Sequence, residues 1–173
     1  MATRRGSRLV FLMAMATILM ASLSAAAQFQ VVRVINGNTI AVGSGYNSHA
    51  LRLAGIDVPE VSHGRNDPGQ TFNQEASRHL SDLVLGKFVV VREFEQDHYG
   101  HILGELFVDG QNVNLQMLRD GFAEVCRDAS PPGLDLSSYW SAEENARYSK
   151  LGIRQQGDQY VSPTLWRKRM HEK

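Results

Sequence analysis

The chain has 173 residues, 43% of them hydrophobic, with 15 glycines and with 18 lysines and arginines balancing 18 aspartates and glutamates. That composition excludes a disordered tail, a collagen-like repeat and a disulfide-dense miniature scaffold. The single cysteine, Cys126, excludes an intramolecular disulfide and reads as a small buried hydrophobe beside Val125.

Arg4, Arg5 and Arg8 precede an uncharged apolar stretch, Leu9 to Leu23, which ends in Ser24-Ala25-Ala26-Ala27. This is the pattern of a secretory signal peptide, residues 1–27, with cleavage expected before Gln28. The stretch is too short for a comfortable membrane span, and no cysteine follows it for lipid attachment. The mature protein is therefore expected to be secreted or periplasmic, with no stable membrane anchor. Cleavage removes three arginines and no acid, leaving 15 basic and 18 acidic residues and a net charge of −3. The remaining chain, 28–173, suits one domain that buries about 68–70% of its unfolded surface.

From Phe29 the chain alternates β-branched residues, Val31, Val32, Val34 and Ile35, then continues through Asn36-Gly37 to Thr39-Ile40-Ala41-Val42. The Asn-Gly pair predicts a tight hairpin. A third run, His49 to Ile56, completes an antiparallel meander. The polar loop from Val61 to Gly69 cannot be strand or helix interior. Thr71-x-x-Gln74 has capping-box spacing, and Phe72, Ala76, Leu80, Leu83 and Val84 predict a helix over 71–85 that Gly86 stops. Lys87 to Glu95 and Ile102 to Val108 are predicted strands, with Asp109-Gly110 closing a further hairpin. Val113, Met117 and Leu118 suggest a second helix ending at Gly121, and Ser141-x-x-Glu144 a third running toward Gly152. The tail from Ser162-Pro163 is basic. Together these elements give an α+β protein: a five-stranded Greek-key barrel of the OB type with about three packed helices.

The densest polar cluster is Arg52, Asp57 and Glu60, where strand three runs into the loop after it. An arginine and two carboxylates can supply a phosphate clamp, a cation site and a general base, the parts that phosphodiester hydrolysis requires. Two acids at a strand end are also ordinary surface charge, so the cluster alone leaves both readings open.

The wider pattern extends from Val31-Val32-Arg33-Val34-Ile35-Asn36-Gly37-Asn38-Thr39-Ile40 through Leu51-Arg52-Leu53-Ala54-Gly55-Ile56-Asp57-Val58-Pro59-Glu60. It continues in Asp97-His98-Tyr99-Gly100-His101, Val113-Asn114-Leu115, Arg119-Asp120-Gly121-Phe122-Ala123, and Ser162-Pro163 before Trp166-Arg167. In order and spacing it resembles the thermonuclease (staphylococcal nuclease-like) family over roughly residues 29–169. The resemblance implies an OB-type barrel with three helices and calcium-dependent hydrolysis of single-stranded DNA or RNA. It assigns Asp57 and the carbonyl of Val58 as calcium ligands, Glu60 as the general base and Arg52 as a phosphate arginine.

Two positions depart from that family's pattern. Where the family has Asp-Gly-Asp-Thr this chain has Asn36-Gly37-Asn38-Thr39, so the first calcium aspartate is Asn38. Where a second phosphate arginine follows Tyr-Gly, this chain has His101. Asn38 keeps an oxygen but loses a charge, and ligand charge tunes calcium affinity over orders of magnitude, so weak calcium binding is expected. An imidazole cannot present the planar five-donor fork of an arginine. Losing one such donor typically costs about 10²- to 10³-fold in rate.

These departures keep a second reading open, a non-catalytic OB module that binds nucleic acid, oligosaccharide or a protein partner. A third is a changed metal preference through His98 or His101 with Asp57; the more ordinary reading of His98-x-x-His101 beside Asp97 is two solvated rings in a turn. Arg65 in the polar loop is a conceivable substitute for the missing arginine, and Tyr99 is expected to pack beside the site. Trp166-Arg167-Lys168-Arg169 reads either as a strand-contacting basic segment or as a solvated tail with Trp166 tucked on the barrel. No feature sets an oligomeric state, and a monomer is the expectation.

Overall fold

The protein is described by a computed structural model over residues 28–44, 47–62, 64, 69–97, 100–128 and 130–171. The expected signal peptide, His63, Arg65, His98 and Tyr99 lie outside the described residues.

The alternating segments form β1 (Gln28–Asn36), β2 (Thr39–Ser44) and β3 (Asn47–Leu53), a meander in which each strand pairs antiparallel with the next. β5 (Phe88–Gln96) pairs with β1, β6 (Ile102–Val108) pairs with β5, and β6 returns to β3 in parallel register. That last pairing, Leu51 to Ile102 and Leu53 to Gly104, closes a five-stranded barrel as the pattern predicted. A two-residue β7 (Gln111–Asn112) extends β6, and β4 (Ile56–Asp57) pairs separately with β8 (Glu124–Val125).

The first hairpin is tight, as expected. Asn36 pairs with Thr39, so the two loop residues are Gly37 and Asn38, and neither has a positive φ. The Asn36 side chain accepts from the backbone N–H of Asn38 at 3.0 Å, a local bond that shapes the turn without the left-handed geometry of an Asn-Gly hairpin. The helix Asn73–Val84 packs close above: a Cβ at Gly37 would sit 3.0 Å from the Cβ of Ala76.

Helix α1 (Asn73–Val84) buries Ala76, Leu80 and Val84, the stripe the spacing predicted. Its capping box does not form. Phe72 holds the cap position in the left-handed region at φ 70°, and the first turn is organised by Gln70, whose carbonyl accepts from the backbone and side chain of Asn73. Helix α2 (Val113–Arg119) is capped by the Asn112 side chain, which accepts from the Leu115 N–H. Helix α3 (Ser137–Tyr148) begins one turn before the expected start; Asp135 accepts from the Ser137 N–H, and Ser141 already bonds back to the carbonyl of Ser137. The basic tail is not loose. After a 3-10 segment, Gly152–Gln159, it forms a further helix, α4 (Pro163–His171). Among the described residues no helix is long and apolar enough to cross a membrane.

The core joins Ile40, Leu51, Leu53, Val89 and Leu106 of the barrel to Leu80, Met117, Leu118 and Tyr139 of the helices. Asn114, fully buried, closes the gap between β3 and β6: its amide oxygen accepts from Leu106 N–H, and its nitrogen donates to the carbonyls of Ala54 and Gly104. A buried amide satisfied on both sides fixes where β3 ends. Asp57 comes four residues later.

Candidate active site

Leu53 ends β3, and the chain turns through Ala54-Gly55 into the β4–β8 ladder. Gly55 has φ 74°, and a Cβ there would lie 2.6 Å from Leu134, so both conformation and space demand glycine. Ile56 pairs with Val125 and Asp57 with Glu124, which holds Asp57 rigidly, 3% exposed, at the floor of a cleft. The backbone of Glu60 is fixed from the far side of the loop. Its N–H donates to Gln70 Oε1 at 3.2 Å, and its carbonyl accepts from the Gln70 N–H at 2.7 Å.

The cleft encloses about 850 Å³ and is lined by Asn38, Arg52, Asp57, Val58, Glu60 and His101 among others. All six residues proposed from the sequence therefore meet at one place. Arg52 stands on β3 opposite Thr39, half-buried, and forms no side-chain hydrogen bond or ion pair among the described residues. Asn38 is buried, with its Oδ1 accepting from the Thr39 hydroxyl at 3.1 Å. His101 lines the cleft, but its ring turns to Asp97: Nδ1 lies 3.0 Å from Asp97 Oδ2, while the His101 N–H donates to Oδ1 of the same carboxylate at 2.9 Å. Among the described residues no three His, Cys, Asp or Glu side chains are arranged as a metal site, and His98 lies outside those residues. Cys126 is half-buried rather than sealed in the core, and it too borders the cleft.

The residue that sequence reasoning missed is Arg167. From α4 its guanidinium grips Asp57 with two parallel bonds, Nη1 to Oδ1 at 3.1 Å and Nη2 to Oδ2 at 2.7 Å. Nη1 also donates to Glu60 Oε1 at 2.5 Å, and Nη2 to Asp128 Oδ2 and the Thr164 hydroxyl. Hydrogen bonding to Asp57 raises the Arg167 pKa above its ordinary range, against desolvation by burial and with help from Glu60. The sequence did flag Trp166-Arg167-Lys168-Arg169 as basic. Nothing local in it indicates that one of the three cations points inward, because the contact spans 110 residues. Gln70 was missed for the same reason: besides Glu60, it bonds the carbonyl of Val161 just before α4.

As a cation site the donor set is suitable in kind and poor in charge. Asp57, the Asn38 amide and the Val58 carbonyl are all hard oxygen donors, the kind that suits a hard cation such as calcium. The grip on Arg167 shows that Asp57 and Glu60 together draw a cation. Only one formal charge, that of Asp57, belongs to the three-donor set.

Comparison with known proteins fits this geometry. Residues 50–156 match the family model described as staphylococcal nuclease homologue. An "Uncharacterized endonuclease" of Escherichia coli is 35% identical over 142 residues, spanning 81% of this chain and 84% of the relative. A "Micrococcal nuclease" of Shigella flexneri is 34% identical over 151 residues, covering 81% and 82%. A "Probable endonuclease LCL3" of Komagataella phaffii is 36% identical over 109 residues, 60% of this chain and 47% of that protein. An OB-type barrel carrying an arginine and two carboxylates at one cleft is the architecture of a nuclease, an enzyme of the hydrolase class. The chain belongs to the staphylococcal nuclease homologue family.

Proposed function

We propose that this protein is an exported nuclease that hydrolyses phosphodiester bonds of single-stranded DNA or RNA with weakly bound calcium. The observation that carries the reading is the convergence of Arg52, Asp57 and Glu60 in one cleft. Asp57, the Val58 carbonyl and Asn38 would hold the ion, which when bound supplies Lewis-acid stabilisation of the phosphate oxygens. Glu60 accepts a proton from the attacking water, a role worth about 10²- to 10⁴-fold. Arg52 presents its fork to the phosphate. His101, its Nδ1 tied to Asp97, cannot present a planar guanidinium fork where the family pattern has an arginine, so a slow enzyme is expected. The apolar wall, including Ile35, Leu103 and Trp166, provides a surface on which unpaired bases can stack.

The test is hydrolysis of heat-denatured DNA at millimolar calcium between pH 6 and 10, with Glu60→Gln measured beside the wild type. A fall of at least about 10²-fold in the variant is the expected result. Equal rates would remove Glu60 as the base. No turnover by the wild type would favour the second reading, a binding module whose catalytic set has lapsed at Asn38 and His101.

A further inference from the structure

Arg167 and a metal ion have claims on the same lone pairs. Both oxygens of Asp57 accept from its guanidinium, and Oδ1 also lies 3.2 Å from the Val58 N–H. Glu60, the base of the proposed reaction, accepts from the same Nη1. A guanidinium in this position neutralises part of a three-carboxylate cluster, Asp57, Glu60 and Asp128, and repels a second cation placed among the same oxygens.

The contact is built in rather than incidental. Helix α4 starts under control of Ser162, whose hydroxyl accepts from the Leu165 N–H, and Pro163 at its first position is buried. Gln70 ties the segment before it to the loop that carries Glu60. Arg167 lies one turn into the helix. Its outer partners, Asp128 and Thr164, bond to each other at 2.9 Å and hold Nη2 in the same pose that engages Asp57 and Glu60.

We propose that Arg167 is a tethered cation that competes with the divalent ion for Asp57 and masks Glu60, so that metal loading and unmasking of the base occur in one step. The inference rests on the reading of Asp57 as a metal ligand. Calcium affinity is then set not by the donors alone but by the fraction of time the guanidinium is away from them, since apparent affinity falls by that fraction. Lys168 and Arg169, exposed on the same helix, form no hydrogen bond or ion pair with the three acids among the described residues and serve as charge controls.

The experiment is calcium titration of the purified protein by calorimetry, without nucleic acid, for the wild type, Arg167→Gln, Arg167→Lys, Lys168→Gln and Asp57→Asn. Arg167→Gln is expected to bind calcium about 10-fold or more tightly, as release of a guanidinium that is engaged most of the time would give. Arg167→Lys keeps the charge and loses the paired fork, so it should fall between, and because it retains a cation for the acids it also guards against misfolding of the glutamine variant. Lys168→Gln should match the wild type. The inference is overturned if Arg167→Gln and Arg167→Lys bind no more tightly than wild type while Asp57→Asn abolishes binding; Arg167 is then a structural counter-ion only, and the metal reading stands. It is also overturned if Lys168→Gln tightens binding as much as Arg167→Gln, which would make the effect one of helix charge. Calcium binding that survives Asp57→Asn unchanged would remove the metal reading and the inference together.

Discussion

Asp57 and Glu124 face each other across the two-residue β4–β8 ladder, yet they belong to opposite kinds of ionic cluster. On the Glu124 side two buried acids, Glu124 and Glu143, meet three arginines. Arg127, Arg147 and Arg154 all reach Glu143, which also lies 3.3 Å from the Val125 N–H, and Tyr160 donates to Glu124. On the Asp57 side, among the described residues, Arg167 is shared by three acids, Asp57, Glu60 and Asp128. The first cluster is over-supplied with the chain's own cations and pins α3 and the 3-10 segment to β8. The second, counted over the described residues, carries more acids than cations and opens on a cleft. Similar side chains thus give a structural joint in one place and a cation-receptive site in the other, and the sign of the surplus decides which.

The comparison breaks most visibly at Glu143. Glu143→Gln leaves three guanidinium groups facing a neutral amide, and removing one partner of a buried pair typically costs about 3 kcal/mol or more. For a domain of this size that lowers Tm by roughly 10 °C, read by thermal unfolding followed by circular dichroism. Specific activity of the molecules that remain folded should stay near wild type, since Glu143 is not part of the cleft lining. A variant as stable as wild type would mean that the arginine-rich cluster is not a joint.

The catalytic side sharpens in the opposite direction, by adding what is missing. Asn38→Asp with His101→Arg restores one ligand charge and one phosphate fork, and should raise calcium affinity and nuclease rate together. A single restored donor is worth up to about 10²-fold in rate, roughly 2.7 kcal/mol. Rates on denatured DNA across a calcium titration measure both effects. An unchanged double variant would mean that the site geometry has drifted beyond repair by two side chains.

What the sequence made legible follows the range of the interactions involved. The barrel strands, the α1 stripe and the Asp109-Gly110 turn are written in residues a few positions apart, and the pattern located them. Arg52, Asp57 and Glu60 were legible because they lie within nine residues of each other and match a family motif. Propensity failed where tertiary contacts override it. Thr71 and Gln74 spell a capping box, but the Gln70 carbonyl takes over the first turn and Phe72 goes left-handed. Asn36-Gly37 marked a tight hairpin, and an Asx bond to the Asn38 N–H places its two loop residues at Gly37 and Asn38. Arg167 was hidden in a run of three cations, and only the folded chain shows which one turns inward.

The smallest effect concerns Glu124, the acid that shares a ladder with Asp57 but not its fate. Burial raises its pKa, opposed by the Tyr160 hydrogen bond and by Arg127 and Arg154, and reinforced by the neighbouring Glu143 charge. Because the folded value lies above the unfolded one, the fold favours the protonated form. The stability this contributes is fully present below the ordinary glutamate pKa and is lost as pH rises through the raised value. Glu124→Gln keeps the shape and an acceptor for Tyr160 while removing the proton, so its stability should lack that decline. The two proteins should match in acid and diverge as pH increases, by at most about 1.4 kcal/mol per pH unit, the limit set by one proton. Urea unfolding at a series of pH values measures the slope. Parallel curves would show that the arginines compensate the buried charge fully, and that a cation surplus holds an ionised acid without cost even at this depth.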